Sequence, residues 1–207
     1  MTAFSPGTRP ESKGQAHARA KIALGLAAAM VAPSLPATAA GTMTVPTQLS
    51  LDDCTIVSTN DFETLRACSG YKGVPVMFRT ERQQVAVSYG LTSTTEKAAS
   101  ELMPVNFLPG SEINWRISNR DGDWKAFAAI LRFTADAAPN AANAATKPAQ
   151  VLLVTRIAPG ATCAIAYVDA LANPDAMALA EAAADQHGFD FTCGKDQPER
   201  VGKFAAW

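Results

Sequence analysis

The stretch "TCAIAYVDALANPDAMALAEAAADQHGFDFTC", residues 162–193, predicts a strand that is followed by a helix. Its first part is rich in β-branched and aromatic residues, which favour strands. Asn173 and Pro174 then stand where helices prefer an N-cap and a first helical residue. Alanine, leucine and methionine, which favour helices, dominate up to His187, and Gly188 is expected to end the helix in a left-handed conformation.

Upstream segments alternate between apolar and polar residues, a pattern that predicts antiparallel strands. These segments are "VPVMFRT" at 74–80, "QQVAVSYG" at 83–90, "INWRIS" at 113–118, "WKAFAAILRF" at 124–133 and "QVLLVTRI" at 150–157. The turn "NRDGD" contains Asp-Gly, which favours a hairpin between two of them. By contrast, Phe62, Leu65 and Arg66 have helical spacing in "NDFETLRACSG", residues 60–70, which predicts one or two helical turns.

Together these elements predict an α+β fold, a mostly antiparallel sheet of about six or seven strands with a C-terminal Ala-rich helix packed on one face. Small side chains on the helix and on the facing strands would let the two approach closely. The opposite face is expected to carry larger side chains and to be covered by the N-terminal hairpin. Those side chains are Phe127, Leu131, Phe133, Ile165 and Tyr167.

The N-terminal segment has the order of a secretory signal. Four basic residues precede the uncharged run "IALGLAAAMVA", and small residues follow it up to an expected cleavage near Ala39 or Ala40. The apolar run is shorter than the roughly 20 residues of a bilayer span, so no stable membrane anchor is expected after cleavage. We predict a signal peptide at 1–40 and a single domain at 41–207, with a flexible Ala-, Asn- and Pro-rich loop at 135–149.

The charge of the predicted domain is mildly negative. Removing four bases and one acid from totals of 18 and 19 leaves 14 bases and 18 acids, a net charge of −4. A chain of this charge without basic clusters is not expected to bind nucleic acid. The sequence also lacks the Gly-rich phosphate and dinucleotide motifs and the H-E-x-x-H metal motif, so we predict no cofactor and no metal site.

Four cysteines, Cys54, Cys68, Cys163 and Cys193, fall in the predicted domain. An even number of cysteines in an exported chain favours disulfide bonds, and three pairings are open. The most local pairing, Cys54 with Cys68 and Cys163 with Cys193, is the one we favour. Zinc-ligand spacing is absent.

Catalytic candidates are few. There is no G-x-S-x-G motif, and His187 is the only histidine of the predicted domain, where it is expected at a helix end. Among the acidic residues, Asp169 is the one weak catalytic candidate, because it lies where a strand turns into the helix. "DGD" and "LDDC" are interpreted as a hairpin turn and a solvated strand end.

A possible binding surface is suggested by aromatic and basic residues around the "RISNRDGD" turn. Trp115 and Trp124 flank this turn, with Arg116 and Arg120 between them. Such residues are favoured at binding surfaces. The alternative is that both tryptophans are packed in the core.

Four segments carry a family resemblance, namely "CTIVSTNDFETLRACSGY", "INWRISN", "DWKAFAAILRF" and "CAIAYVDALANPDAMALA". With them the chain resembles a family of small exported bacterial proteins of uncharacterised function. That resemblance implies an exported single domain and supplies no catalytic residue.

From these observations we expect a periplasmic or secreted protein that is not an enzyme and that binds a partner, a protein or a polymer, in the cell envelope. The alternative function is an envelope hydrolase that uses carboxylates, with Asp169 as one of them.

Overall fold

A computed structural model describes residues 41–136 and 148–206, so the predicted signal peptide and most of the predicted loop lie outside the described residues. The described part contains ten strands and one α-helix, α1 (Ala176–His187). The strands are β1 (Thr42–Gln48), β2 (Thr55–Thr59), β3 (Glu63–Ser69), β4 (Pro75–Glu81), β5 (Gln84–Tyr89), β6 (Leu108–Ser118), β7 (Lys125–Ala135), β8 (Ala149–Arg156), β9 (Cys163–Asp169) and β10 (Glu199–Val201).

The strands form two sheets. The larger sheet has the order β1-β6-β7-β8-β9-β10, and the smaller sheet has the order β2-β3-β4-β5. β10 pairs with β9 in parallel, whereas the other pairings within the described residues are antiparallel. The predicted α+β class is therefore confirmed, but the prediction of one sheet with six or seven strands is wrong, because β2 to β5 form a sheet of their own.

Residues 60–70 are not helical as predicted, since most of them form β3. Asn60 Oδ1 accepts hydrogen bonds from the amides of Phe62 and Glu63, which makes a turn into the strand instead of a helix cap. β3 then pairs along its whole length with β4. Helical spacing of three apolar or long side chains is a weak signal, and pairing with a neighbouring strand outweighs it.

The two faces of the larger sheet are covered by different elements. On one face Trp115, Leu131 and Phe133 share a core with Phe78 and Tyr89 of the smaller sheet. On the other face α1 packs over β7, β8 and β9. The core therefore has two layers, one on either side of the larger sheet.

Two β-bulges place Phe127 and Ile165 on the face of the larger sheet opposite to the predicted one. Phe127 and Ile165 were expected on the same face as Leu131, but both lie on the face covered by α1. The register of β7 against β6 and of β9 against β8 shifts by one residue at these two positions. A bulge inserts one unpaired residue and reverses the alternation beyond it, so a simple count of every second residue fails there.

The ends of α1 differ from the predicted ones. The helix begins at Ala176, and the side chain of Asn173 does not cap it. Instead, Asn173 Nδ2 donates to the carbonyls of Asp169 and Lys203, and its Oδ1 accepts from the Lys203 amide. Gly188 has a right-handed conformation with φ −61°. Its lack of a side chain is needed because a Cβ there would lie 2.6 Å from the Phe127 ring.

Both disulfides have the predicted local pairing. Cys54 is bonded to Cys68, which links the start of β2 to β3, with Cα atoms 4.6 Å apart. Cys163 is bonded to Cys193, which links β9 to the segment after α1, with Cα atoms 5.8 Å apart. The second bridge therefore holds the residues after the helix against the larger sheet.

Candidate functional site

The carboxylate of Asp169, the predicted weak catalytic candidate, is held by hydrogen bonds from the main chain. It is buried at the end of β9. Its Oδ1 accepts hydrogen bonds from the amides of Leu171 and Ala172, and its Oδ2 accepts one from the amide of Ala205, each at 3.0 Å. Both carboxylate oxygens are thus engaged by the main chain, and they hold the turn after β9 to the C-terminal segment.

Replacing Asp169 by alanine is expected to lower the free energy of unfolding by about 1–3 kcal/mol, because buried amides lose their acceptor. Urea denaturation of the variant measures this loss. Asp175→Ala is the matched control, since Asp175 is exposed and its side chain makes no capping hydrogen bond. A stability equal to wild type for Asp169→Ala would contradict the structural role.

The four predicted binding residues do not form one exposed surface. Trp115 is fully buried between the two sheets, and its Nε1 donates to Thr47 Oγ1 at 2.8 Å. Arg116 lies on the opposite face of the larger sheet, where its guanidinium donates to both carboxylate oxygens of Asp185 at 3.0 and 2.5 Å. Successive residues of a strand point to opposite faces, which separates this pair.

The other two predicted binding residues are also apart from each other. Arg120 is exposed, and its guanidinium lies 4.1 Å from the centroid of the Phe189 ring. Trp124 is half-buried and packs against the core between the sheets. The structure therefore does not bring the four residues together, both tryptophans pack against the core, and a role of this turn in binding stays a prediction.

The structure shows a cleft of about 480 Å³ on the outer face of the smaller sheet, which we name the outer cleft. Its floor is formed by β3 and β4, and its wall by residues 93–100, which we name the wall segment. The lining residues are Glu63, Leu65, Met77, Arg79, Ser93, Thr94, Thr95, Glu96, Lys97, Ala99 and Ser100.

Strand pairing places the floor residues together. Leu65 lies opposite Arg79, and Glu63 lies opposite Glu81, in the antiparallel register of β3 and β4. Directly opposite residues share a face of the sheet. The side chain of Met77 extends the same face as an apolar surface. The floor is therefore apolar at one end and charged at the other.

Arg79 is the central charged group of the outer cleft. Its Nε donates to Glu63, its Nη2 donates to Glu81 Oε2 at 2.6 Å, and its Nη1 donates to the carbonyl of Ala99 at 3.3 Å. The hydrogen bond with Glu63 is the largest cause that raises the pKa of Arg79 above its ordinary value. The guanidinium is thus fixed in place between two carboxylates and joins the floor to the wall segment.

Glu96 fixes the wall segment to the turn between β8 and β9. It is buried, and its carboxylate accepts hydrogen bonds from Thr92 Oγ1 at 2.5 Å, the Gly160 amide at 2.7 Å and the Thr162 amide at 3.0 Å. Burial opposes ionisation of Glu96, but these hydrogen bonds outweigh it and lower its pKa. The amide of Ala98 also donates to the carbonyl of Thr162. The wall segment is therefore fixed to the turn between β8 and β9 by contacts within the chain itself.

The outer cleft combines groups suited to recognition. Arg79 and Lys97 supply two basic groups to the lining, and Glu63 and Glu96 supply two carboxylates, while Glu81 binds Arg79 from outside the lining. Hydroxyl groups of the wall segment and the apolar floor complete the lining. Such a site fits a partner that offers both apolar surface and hydrogen-bonding groups.

No family model, curated protein or solved structure matches the chain. Within residues 41–136 and 148–206, no helix is long and apolar enough to cross a membrane. In the same part of the chain, no three His, Cys, Asp or Glu side chains are grouped closely enough to hold a metal ion.

Proposed function

We propose that this protein is an exported, non-enzymatic protein that binds a partner of the cell envelope in the outer cleft. The observation that carries the proposal is the preformed cleft of about 480 Å³ with an apolar floor and a fixed guanidinium. Preorganisation favours binding because little side-chain freedom is lost on association.

Export to the periplasm or the medium is part of this proposal. The signal-like order of residues 1–40 supports it. The disulfides Cys54–Cys68 and Cys163–Cys193 support it as well, because disulfides persist mainly in oxidising compartments.

The alternative function, a carboxylate-dependent envelope hydrolase, has one observation in its favour. Glu63 lines the outer cleft and lies opposite Glu81 in the pairing of β3 with β4, and paired carboxylates are the groups that such hydrolases use. Arg79 donates to one oxygen of each, however, so its guanidinium lies between the two carboxylates, where such a hydrolase would hold its substrate. Binding without hydrolysis is therefore the function that the geometry favours.

Filling the outer cleft is expected to reduce the amount of partner that the protein retains. Thr94 is exposed on the wall segment and lines the cleft, so Thr94→Trp places a large ring in the cleft without disturbing the core. The measurement is a pull-down from periplasmic extract of the producing cell with immobilised wild-type and variant protein. We expect at least about a tenfold loss of the retained partner, since one blocked contact of 1.4 kcal/mol has that effect.

The matched control is Thr192→Trp, which places the same ring at an exposed position outside the cleft. Equal retention by Thr94→Trp and wild type would contradict the proposal. Retained material that is cleaved by wild-type protein, but not after Glu63→Gln with Glu81→Gln, would instead establish the hydrolase.

A further inference from the structure

Three of the four outer strands of the two sheets are protected against pairing with another chain. β1 contains Pro46, which has no amide to donate. β10 is only three residues long and carries the charged residues Glu199 and Arg200. β5 is covered by the chain that follows it, because the Met103 amide donates to the Val85 carbonyl at 2.8 Å. These are usual ways of blocking a sheet edge.

β2 is the fourth outer strand, and it has little such protection. All residues of its sequence "TIVST" are exposed, and none is charged or a proline. Ile56 and Val57 are 55% and 54% exposed. In the described part of the chain, β2 pairs with β3 on one side, and no strand pairs with its other side. A register shift between Ile56 and Ser58 is the one feature that disturbs the edge.

The edge of β2 is held in place before any partner arrives. The Cys54–Cys68 disulfide links its first end to β3. The turn at its other end is closed by the hydrogen bond from the Asn60 amide to the Glu63 carbonyl at 2.9 Å. An added strand would therefore pair with an ordered template, which lowers the entropic cost of binding.

The charges beside β2 indicate what kind of strand fits. Asp52 and Asp53 are exposed immediately before the strand, and Asp61 is exposed after it. No basic residue lies within residues 50–64, and the basic residues nearby in the fold are Arg66, opposite Ile56 on β3, and Arg82, 5.9 Å from the Phe62 ring centroid at the end away from Asp52 and Asp53. An antiparallel second copy would bring Asp52 and Asp53 beside Asp61 of that copy, and a parallel copy would bring the aspartates beside each other. Like charges in such positions are unfavourable, so self-pairing is disfavoured and a basic strand end is favoured.

We propose that β2 accepts an extended segment of another protein as a fifth strand of the smaller sheet. That segment has an uncharged, β-branched centre and carries lysine or arginine at the end that lies beside Asp52 and Asp53. Main-chain hydrogen bonds supply the affinity in this mode of recognition, and the basic end supplies the selection. This surface is separate from the outer cleft, whose lining contains no residue of β2.

The test uses a synthetic peptide with alternating threonine and valine at its centre and two lysines at each end. Backbone amide NMR of the protein is expected to show shifts and slowed hydrogen exchange at residues 55–59 when the peptide is added. The same peptide with every central amide N-methylated cannot donate these main-chain hydrogen bonds from either of its edges. We expect its Kd to rise at least about tenfold, as the loss of 1.4 kcal/mol produces.

Reversing the charges of Asp52 and Asp53 tests whether they select a strand with a basic end. Asp52→Lys with Asp53→Lys is expected to weaken binding of the lysine peptide about tenfold and to favour a peptide with glutamates at its ends. The matched control is Asp121→Lys with Asp123→Lys, which reverses two exposed charges in the turn between β6 and β7. Thr94→Trp should leave peptide binding unchanged. A failure of this proposal can therefore be distinguished from a failure of the outer-cleft proposal.

Equal binding of the N-methylated peptide would overturn the proposal, as would amide shifts confined to the wall segment. A wild-type dimer that Val57→Lys dissociates, with no effect of the peptide, would assign the edge to a second copy and would also overturn it.

Discussion

Replacing Trp115 by alanine is expected to lower the free energy of unfolding by about 3–5 kcal/mol, the usual cost of emptying a large buried aromatic site. Trp115 is 0% exposed and meets Tyr89 edge to face, with ring centroids 5.4 Å apart. The chain approaches it so closely that a Cβ on Gly70 would lie 2.3 Å from the indole ring. Removing the ring therefore opens a cavity between the two sheets and leaves Thr47 Oγ1 without its donor.

Trp124→Ala is the control for this measurement, because Trp124 is half-buried at the border of the same core. Urea denaturation of both variants should show the larger loss for Trp115→Ala. An equal or smaller loss would show that Trp115 is not a central packing residue.

Replacing Cys163 and Cys193 together by serine is expected to cost about 3.7 kcal/mol in the loop-entropy description of disulfides, because the bridge spans 30 residues. The bridge restricts the unfolded chain, and in the folded chain it joins β9 to the segment after α1. Urea denaturation of the double variant under non-reducing conditions measures the loss.

The matched variant replaces Cys54 and Cys68 by serine. That bridge spans 14 residues, so the same description gives a loss of about 3 kcal/mol. A larger loss for the shorter bridge would contradict the loop-length explanation. Peptide mapping that found Cys163 bonded to Cys54 or Cys68 would contradict the pairing itself.

Features that depend on neighbouring residues could be predicted from the sequence. Alternation in "VPVMFRT" and "QQVAVSYG" predicted two strands, and these form the β4–β5 hairpin. The Asp-Gly turn was placed correctly, since Gly122 has φ +95°, which glycine adopts without strain. Local pairing of cysteines was also correct, because short loops cost the least entropy to close.

Features that depend on distant pairing could not be predicted in the same way. The segment that forms β3 has no pattern that excludes a helix, and it is a strand because it pairs with β2 and β4 and is held by its disulfide. The bulges at Phe127 and Ile165 likewise depend on the facing strands. An error of one residue at a bulge moves a side chain from one core layer to the other.

The outer cleft was missed for the same reason. Glu63 and Arg79 are 16 residues apart in sequence and meet only because β3 and β4 pair. With residues 60–70 predicted as helical, no opposition of Glu63 and Glu81 could follow. Glu96 and Thr162, which join the wall segment to the larger sheet, are 66 residues apart. No local pattern connects them.

The attachment of the wall segment by Glu96 has an evolutionary consequence. The floor of the outer cleft belongs to the smaller sheet, while Glu96 hydrogen-bonds to the turn between β8 and β9 of the larger sheet. Residues such as Thr94 and Thr95 line the cleft but are exposed. They are free to diversify while the buried carboxylate keeps the segment anchored. Substitutions at these two positions would therefore change the lining of the outer cleft without disturbing the packing of either sheet.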